Sequence, residues 1–139
     1  MKRTGRRSDC PVSFALDIFG DAWSLLVIRD LMFTERRSYT DFLKAEERIA
    51  TNVLAARLRH LRAAGLIRRY GSGRGAAYGL TAKGRDLLPV LLELISWSAK
   101  HDRRTGAPPA FVKRIRNDRA GVIADLGARG QAKDRARGA

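Results

Sequence analysis

The chain has 139 residues, 45% of them hydrophobic and 30% charged, which suits one soluble globular domain with a sizeable core. Its 28 Lys and Arg against 14 Asp and Glu give a net charge of +14, which points to a polyanionic partner, nucleic acid ahead of an anionic membrane. The bland alternative is a generally arginine-rich composition. No run reaches the ~18 apolar residues of a membrane span. A single cysteine, Cys10, excludes an intramolecular disulfide, and with only His60 and His101 beside it the sequence predicts no metal site and no cofactor.

Residues 1–9 read as a basic arm, too polar to be a secretory signal once Asp17 and Asp21 break the apolar run behind it, so the chain is expected in the cytoplasm. Pro11 suits the first turn of a helix and Asp9 is placed to cap it; Val12, Ala15, Leu16 and Phe19 form its stripe up to Gly20. A second helix is predicted from near Asp21 through Trp23, Leu25, Leu26, Ile28, Leu31 and Phe33. It is apolar nearly all round and should be the central buried helix. Ser38 can cap a short third helix, Tyr39 to Lys44, with Phe42 and Leu43 inward.

Residues 49–66 carry the most information. Leu54, Leu58 and Leu61 recur at helical spacing, Thr51 and Asn52 bring capping chemistry to the start, and Gly65 suits a left-handed end. The opposite face holds Asn52, Ala55, Ala56, Arg59 and His60, with no carboxylate. Ile67 to Tyr70, the tip GSGRG and Ala77 to Leu80 then read as a basic hairpin. The tip lacks the Lys-Ser/Thr of a P-loop. A short helix, a presented helix and a hairpin make a winged helix-turn-helix: mainly α with a small β-wing, and DNA as partner.

Thr81 is placed to cap a long helix in which Leu87, Leu88, Leu91, Leu92, Leu94, Ile95 and Trp97 are too many for one stripe, so one face should meet a second chain. Pro89 inside it should kink it. After the break at Gly106-Ala107-Pro108-Pro109, the residues Phe111, Ile115, Val122, Ile123 and Leu126 fit one further amphipathic helix, with a frayed or disordered end from Gly127. The organisation expected is an arm over 1–9, the winged-helix domain with its dimerisation helices over 10–102, and a basic, partly helical extension over 103–139.

Cys10-Pro11-Val12, Ala15-Leu16-Asp17, Gly20-Asp21-Ala22-Trp23 and Leu25 to Leu31 resemble the N-terminal half of HxlR-type bacterial regulators, within the MarR-like winged-helix superfamily. Ile49, Leu54, Arg57-Leu58, Leu61, Gly65-Leu66 and Tyr78 to Gly84 resemble the presented helix and wing of the same family, over residues 10–102 in all. The resemblance implies a homodimer joined through the first and the long C-terminal helices. It also implies control of neighbouring genes in response to oxidants, electrophiles or other small molecules. Asn52, Ala55 and Ala56 depart from the family's larger or cationic residues, so the operator need not be shared.

Arg59 and Asn52 are the first choices for base edges, guanine and adenine respectively. Ala55 and Ala56 permit close approach. Arg57 fits a phosphate contact or an internal ion pair equally, and His60 a solvated or phosphate-facing position. Arg74 at the wing tip fits a minor groove or phosphate, or a mobile surface charge. Arg36, Arg37, Ser38, Tyr39 and Thr51 are candidate backbone contacts, with solvation, capping and packing as their alternatives.

Cys10, at a helix start near Arg6 and Arg7, is a candidate redox sensor; an ordinary helix-start cysteine is the alternative. Phe19, Trp23 and Trp97 are candidates to line an effector pocket, or plain core. The rival function is a non-specific nucleic-acid-binding architectural protein. Catalysis is not expected, because no carboxylate pair or nucleophile–base set is evident.

Overall fold

The structure, a computed structural model, describes residues 6–73 and 75–138. The elements run α1 (Pro11–Phe19), α2 (Ser24–Phe33), α3 (Tyr39–Leu43), α4 (Thr51–Ala63), β1 (Ile67–Tyr70), β2 (Ala77–Leu80), α5 (Ala82–Arg85), α6 (Leu88–His101), α7 (Pro109–Asn117) and α8 (Arg119–Gly138). The fold is mainly helical with one antiparallel hairpin, a winged helix-turn-helix. Helix α2 is its centre: Val27, Ile28, Leu31 and Met32 are buried against Phe42, Leu54, Leu58, Leu61, Tyr78, Leu80, Leu91 and Leu92.

Capping decides where the first helices start. Cys10, not Asp9, occupies the N-cap position of α1 and makes no side-chain cap bond. Helix α2 begins at Ser24 rather than near Asp21, because the Asp21 carboxylate accepts from the Trp23 and Ser24 amides, each at 2.9 Å, and from the Ser24 hydroxyl at 2.6 Å. Burial works to raise the Asp21 pKa, but those bonds and the nearby Arg57 charge outweigh it and hold the carboxyl below its ordinary value. Ser38 caps α3 as expected: its hydroxyl accepts from the Asp41 amide, while the Asp41 carboxylate accepts from the Ser38 amide, a reciprocal capping box. Thr51 is the first residue of α4 rather than its cap; Ala50 takes that position without a side-chain bond.

Gly65 ends α4 with φ +78°; its amide reaches Arg62 O and the Leu66 amide reaches Leu61 O, a Schellman motif. The hairpin follows at once, in the register Ile67 with Leu80 and Tyr70 with Ala77. The free edge of β2 is covered in turn: the Tyr78 amide donates to Arg37 O at 2.7 Å and Ser38 bridges to Ala77.

The long helix predicted after Thr81 is two helices. Thr81 caps only the short α5, accepting from the Gly84 amide at 3.1 Å. Pro89 has no amide to donate to the preceding turn, so the chain breaks at Asp86-Leu87 and Pro89 sits in the first turn of α6 instead of kinking it. The C-terminal segment also differs from the single helix with a frayed end. Asp118 interrupts it and accepts from the Gly121 amide, so α7 and α8 are separate, and α8 continues to Gly138. Ile115 and Val122 are buried in the same core as α2.

Candidate nucleic-acid interface

Helices α3 and α4 are held as a unit. The Tyr39 hydroxyl donates to Thr51 O at 3.1 Å, so Tyr39 joins the two helices at the point where α4 begins. Arg29 of α2 grips Glu47 in the turn between them, and also pairs with the buried Asp30, which takes Arg36 at 3.4 Å. Asp30 is 2% exposed, a buried charge that the apolar reading of α2 missed. Its signal is the Arg29-Asp30 dipeptide in an otherwise apolar helix: a charge there needs partners close by.

On the outer side of α4, Thr51, Asn52 and Arg59 are exposed and Ala55 and Ala56 half-exposed. The other two candidates on this helix are engaged inward. Arg57 Nη1 lies 3.5 Å from the Asp21 carboxylate, the ion-pair alternative. His60 is not simply solvated: its Nε2 lies 2.6 Å from Ile18 O and fastens α4 to the end of α1. Arg37 is exposed, though its backbone is tied to Tyr78 and Asp41. Arg74 lies outside the described residues.

Between α4 and the wing runs an open groove lined by Arg59, Arg62, Ala63, Ile67, Arg68 and Arg69. Of its arginines only Arg59 was singled out by the sequence pattern. Arg62 follows it by three on the same helix, and Arg68 and Arg69 are consecutive on β1, so their convergence needed the pairing of strand and helix to become visible. Arg69 also braces the turn of the wing, donating to Gly73 O at 3.1 Å. A groove with arginines on both walls fits a phosphate backbone.

The three aromatic residues expected to line an effector pocket stand in different surroundings within one chain. Trp23 borders a cavity of about 20 Å³ beside Asp30, room for one water. Trp97 is 66% exposed on α6, its ring 5.0 Å from that of His101. Phe19 is half-buried at the end of α1. A larger apolar groove of about 840 Å³ lies elsewhere, walled by Leu25, Phe33, Leu91, Ile95 and Phe111, with Arg29 and Glu47 at its polar edge.

Cys10 is exposed and free. The arginines near it in sequence point elsewhere: Arg6 lies over the Phe14 ring, 4.9 Å from its centroid, and Arg7 Nε is 2.7 Å from Asp17. Among the described residues no His, Cys, Asp and Glu cluster suits a metal, and no single helix is long and apolar enough to cross a membrane.

Residues 18–105 match the HxlR-like helix-turn-helix family. The chain belongs to that family. As an HxlR-like protein it carries the helix-turn-helix of that family of regulators. It is 35% identical over 88 residues to the uncharacterized HTH-type transcriptional regulator sll1512 of Synechocystis, a match spanning 61% of this chain and 64% of that protein, just under two thirds of its length. Among solved structures, PA1607 superposes with a TM-score of 0.62 at 37% identity, covering 74% of this chain and 70% of the other. The redox regulator HypR in its oxidized form gives 0.57 at 28%, covering 66% and 97%. Helices α7 and α8 lie beyond the family's span.

Proposed function

We propose that this HxlR-like protein acts in the cytoplasm as a homodimeric, sequence-specific transcription regulator on a pseudo-palindromic operator. The observation that carries the reading is the exposed face of α4 running into the arginine-walled groove beside the wing. Asn52 and Arg59 would read base edges across Ala55 and Ala56, while Arg62, Arg68 and Arg69 hold phosphates. Arg37, Ser38, Tyr39 and Thr51 stand at the adjacent helix starts, where backbone phosphates come within reach, with Arg36 close by.

Unpartnered apolar surface supports the dimer. Val12 (65% exposed), Phe14 and Leu16 on α1, with Leu94 and Trp97 on α6, are large hydrophobic side chains left in solvent by a single chain. The two α4 helices of such a dimer would enter successive major grooves about 34 Å apart. An effector fits the apolar groove between α2 and α6 better than any site at Trp23 or Trp97, since that groove has the size of a ligand pocket. Redox control through Cys10 rests on the thiol's exposure and on the likeness to HypR. With one cysteine per chain it would proceed through an intersubunit or mixed disulfide.

Selection of genomic fragments by the purified, reduced protein, followed by footprinting against excess random duplex, tests the reading. A short two-fold footprint that survives competition is expected. Even binding to every fragment, collapsing uniformly with salt, would favour the architectural alternative.

A further inference from the structure

The C-terminal helix α8, outside the family's span, touches the DNA-binding unit at two separate points. Val122, Leu126, Gly130, Lys133 and Asp134 share one face at helical spacing. That face starts in the core at Val122, completely buried, and ends about 18 Å further along the helix at a charged pair. There Lys133 Nζ donates to Thr34 O at 2.9 Å and pairs with Glu35 at 3.1 Å, on the turn that leads from α2 into α3. Its neighbour Asp134 pairs with Arg85, whose Nη1 also donates to Leu80 O at 3.0 Å, the last carbonyl of β2. Both side chains are sheltered, Lys133 17% and Asp134 16% exposed. Gly130 faces Arg85 as well: a Cβ at that position would stand in ordinary van der Waals contact with Arg85 Cδ, at 3.5 Å.

We propose that Lys133 and Asp134 are positioning residues for DNA binding, through which α8 fixes the base of the wing relative to the α2–α3 turn. Both anchor points belong to the same DNA-binding unit. Thr34 and Glu35 precede Arg36, Arg37 and the cap of α3, and Leu80 and Arg85 bracket the return from the wing. Besides α8, the turn and the wing are linked by the short pairing of residues 37–38 with β2 and by the packing of Phe42 on Tyr78. Two adjacent residues on one rigid helix hold both ends of that link, so a tilt of the wing strains either Lys133 or Asp134. The DNA arm of this inference rests on the regulator reading above; the conformational arm does not.

Amide hydrogen exchange on the full-length protein, wild type against Lys133→Met and Asp134→Asn, separates the two arms. Wing amides from Arg68 to Tyr78 should exchange roughly tenfold faster in each variant, with the amides of Ile28, Leu31 and Leu54 unchanged. Asp134→Glu, which keeps a carboxylate for Arg85 and leaves its bond to Leu80 O in place, should keep the wild-type pattern. On a mixed-sequence 24-base-pair duplex, Lys133→Met and Asp134→Asn should bind several-fold more weakly, with a shallower salt slope. Unchanged wing exchange in both of these variants overturns the proposal, as does faster exchange spread evenly over the core, which is mere loss of stability. A wild-type protein that ignores the duplex overturns the regulator reading, while the exchange data still decide whether α8 holds the wing.

Discussion

Arg29 and Glu47 form a two-point ion pair, Nη1 2.7 Å from Oε2 and Nη2 3.0 Å from Oε1, that ties the central helix to the turn ahead of α4. The hydrogen bonds from Arg29 hold the Glu47 carboxyl below its ordinary value. A carboxylate depressed on folding contributes stability above its unfolded value, about 4.3, and loses it as pH falls through the lowered folded value. Glu47→Gln should therefore melt lower than wild type at neutral pH, by about 1 kcal/mol or less because the pair is partly exposed. The gap should close as pH falls through the lowered folded value. Thermal melts of both proteins over a pH series check this; a gap that widens in acid would contradict it.

Asp30 is the costlier residue to change. It is buried, with Arg29 and Arg36 as its cationic partners and its carbonyl taken by the Thr34 amide and hydroxyl. Asp30→Asn keeps the volume but removes the charge, and should lower stability by about 2–4 kcal/mol, since two guanidiniums lose their buried counter-ion. A urea titration measures it. A midpoint within error of wild type would mean that Arg29 is satisfied by Glu47 alone.

The helix-turn-helix and wing were legible in the sequence because local signals agree there: leucines at 54, 58 and 61, the Ser38 cap and the glycine at 65 each specify the same boundaries. Thr81 and Pro89 misled for a physical reason. Both are helix-start residues, and a second start signal eight residues after the first can equally mean a kink or a second helix; the missing amide of Pro89 makes it a second helix. His60 and the arginines of β1 show the other limit. Their partners, Ile18 O forty-two positions away and the facing wall of a groove, are set by tertiary contacts that no periodicity encodes. For the aromatic residues, spacing says that Trp97 is on a helix, not that it is 66% exposed.

Arg68 offers a clean separation of phosphate from base contacts. It is exposed on the wing side of the groove, on β1 rather than on the helix that carries Asn52. Arg68→Ala should weaken binding to all duplexes alike and reduce the slope of log K against log salt by about one. A changed sequence preference with the slope intact would move Arg68 from backbone to base readout.

Cys10 carries a sharper test of regulation. Oxidant treatment of wild-type protein should alter operator binding and produce a reducible intersubunit or mixed disulfide, visible by non-reducing electrophoresis. Cys10→Ser should bind the operator normally and lose the response entirely. A response that persists in that variant removes the thiol from the mechanism.

The most direct measurement compares wild type with the Asn52→Ala, Arg59→Ala double variant by footprinting on the selected operator, with random duplex as competitor. The wild type should protect two half-sites about one helical turn apart. The variant should lose the discrimination, about 1–3 kcal/mol for each bidentate contact removed, while keeping its salt-dependent affinity for random duplex. An unchanged footprint in the double variant would mean that the exposed face of α4 does not read the bases.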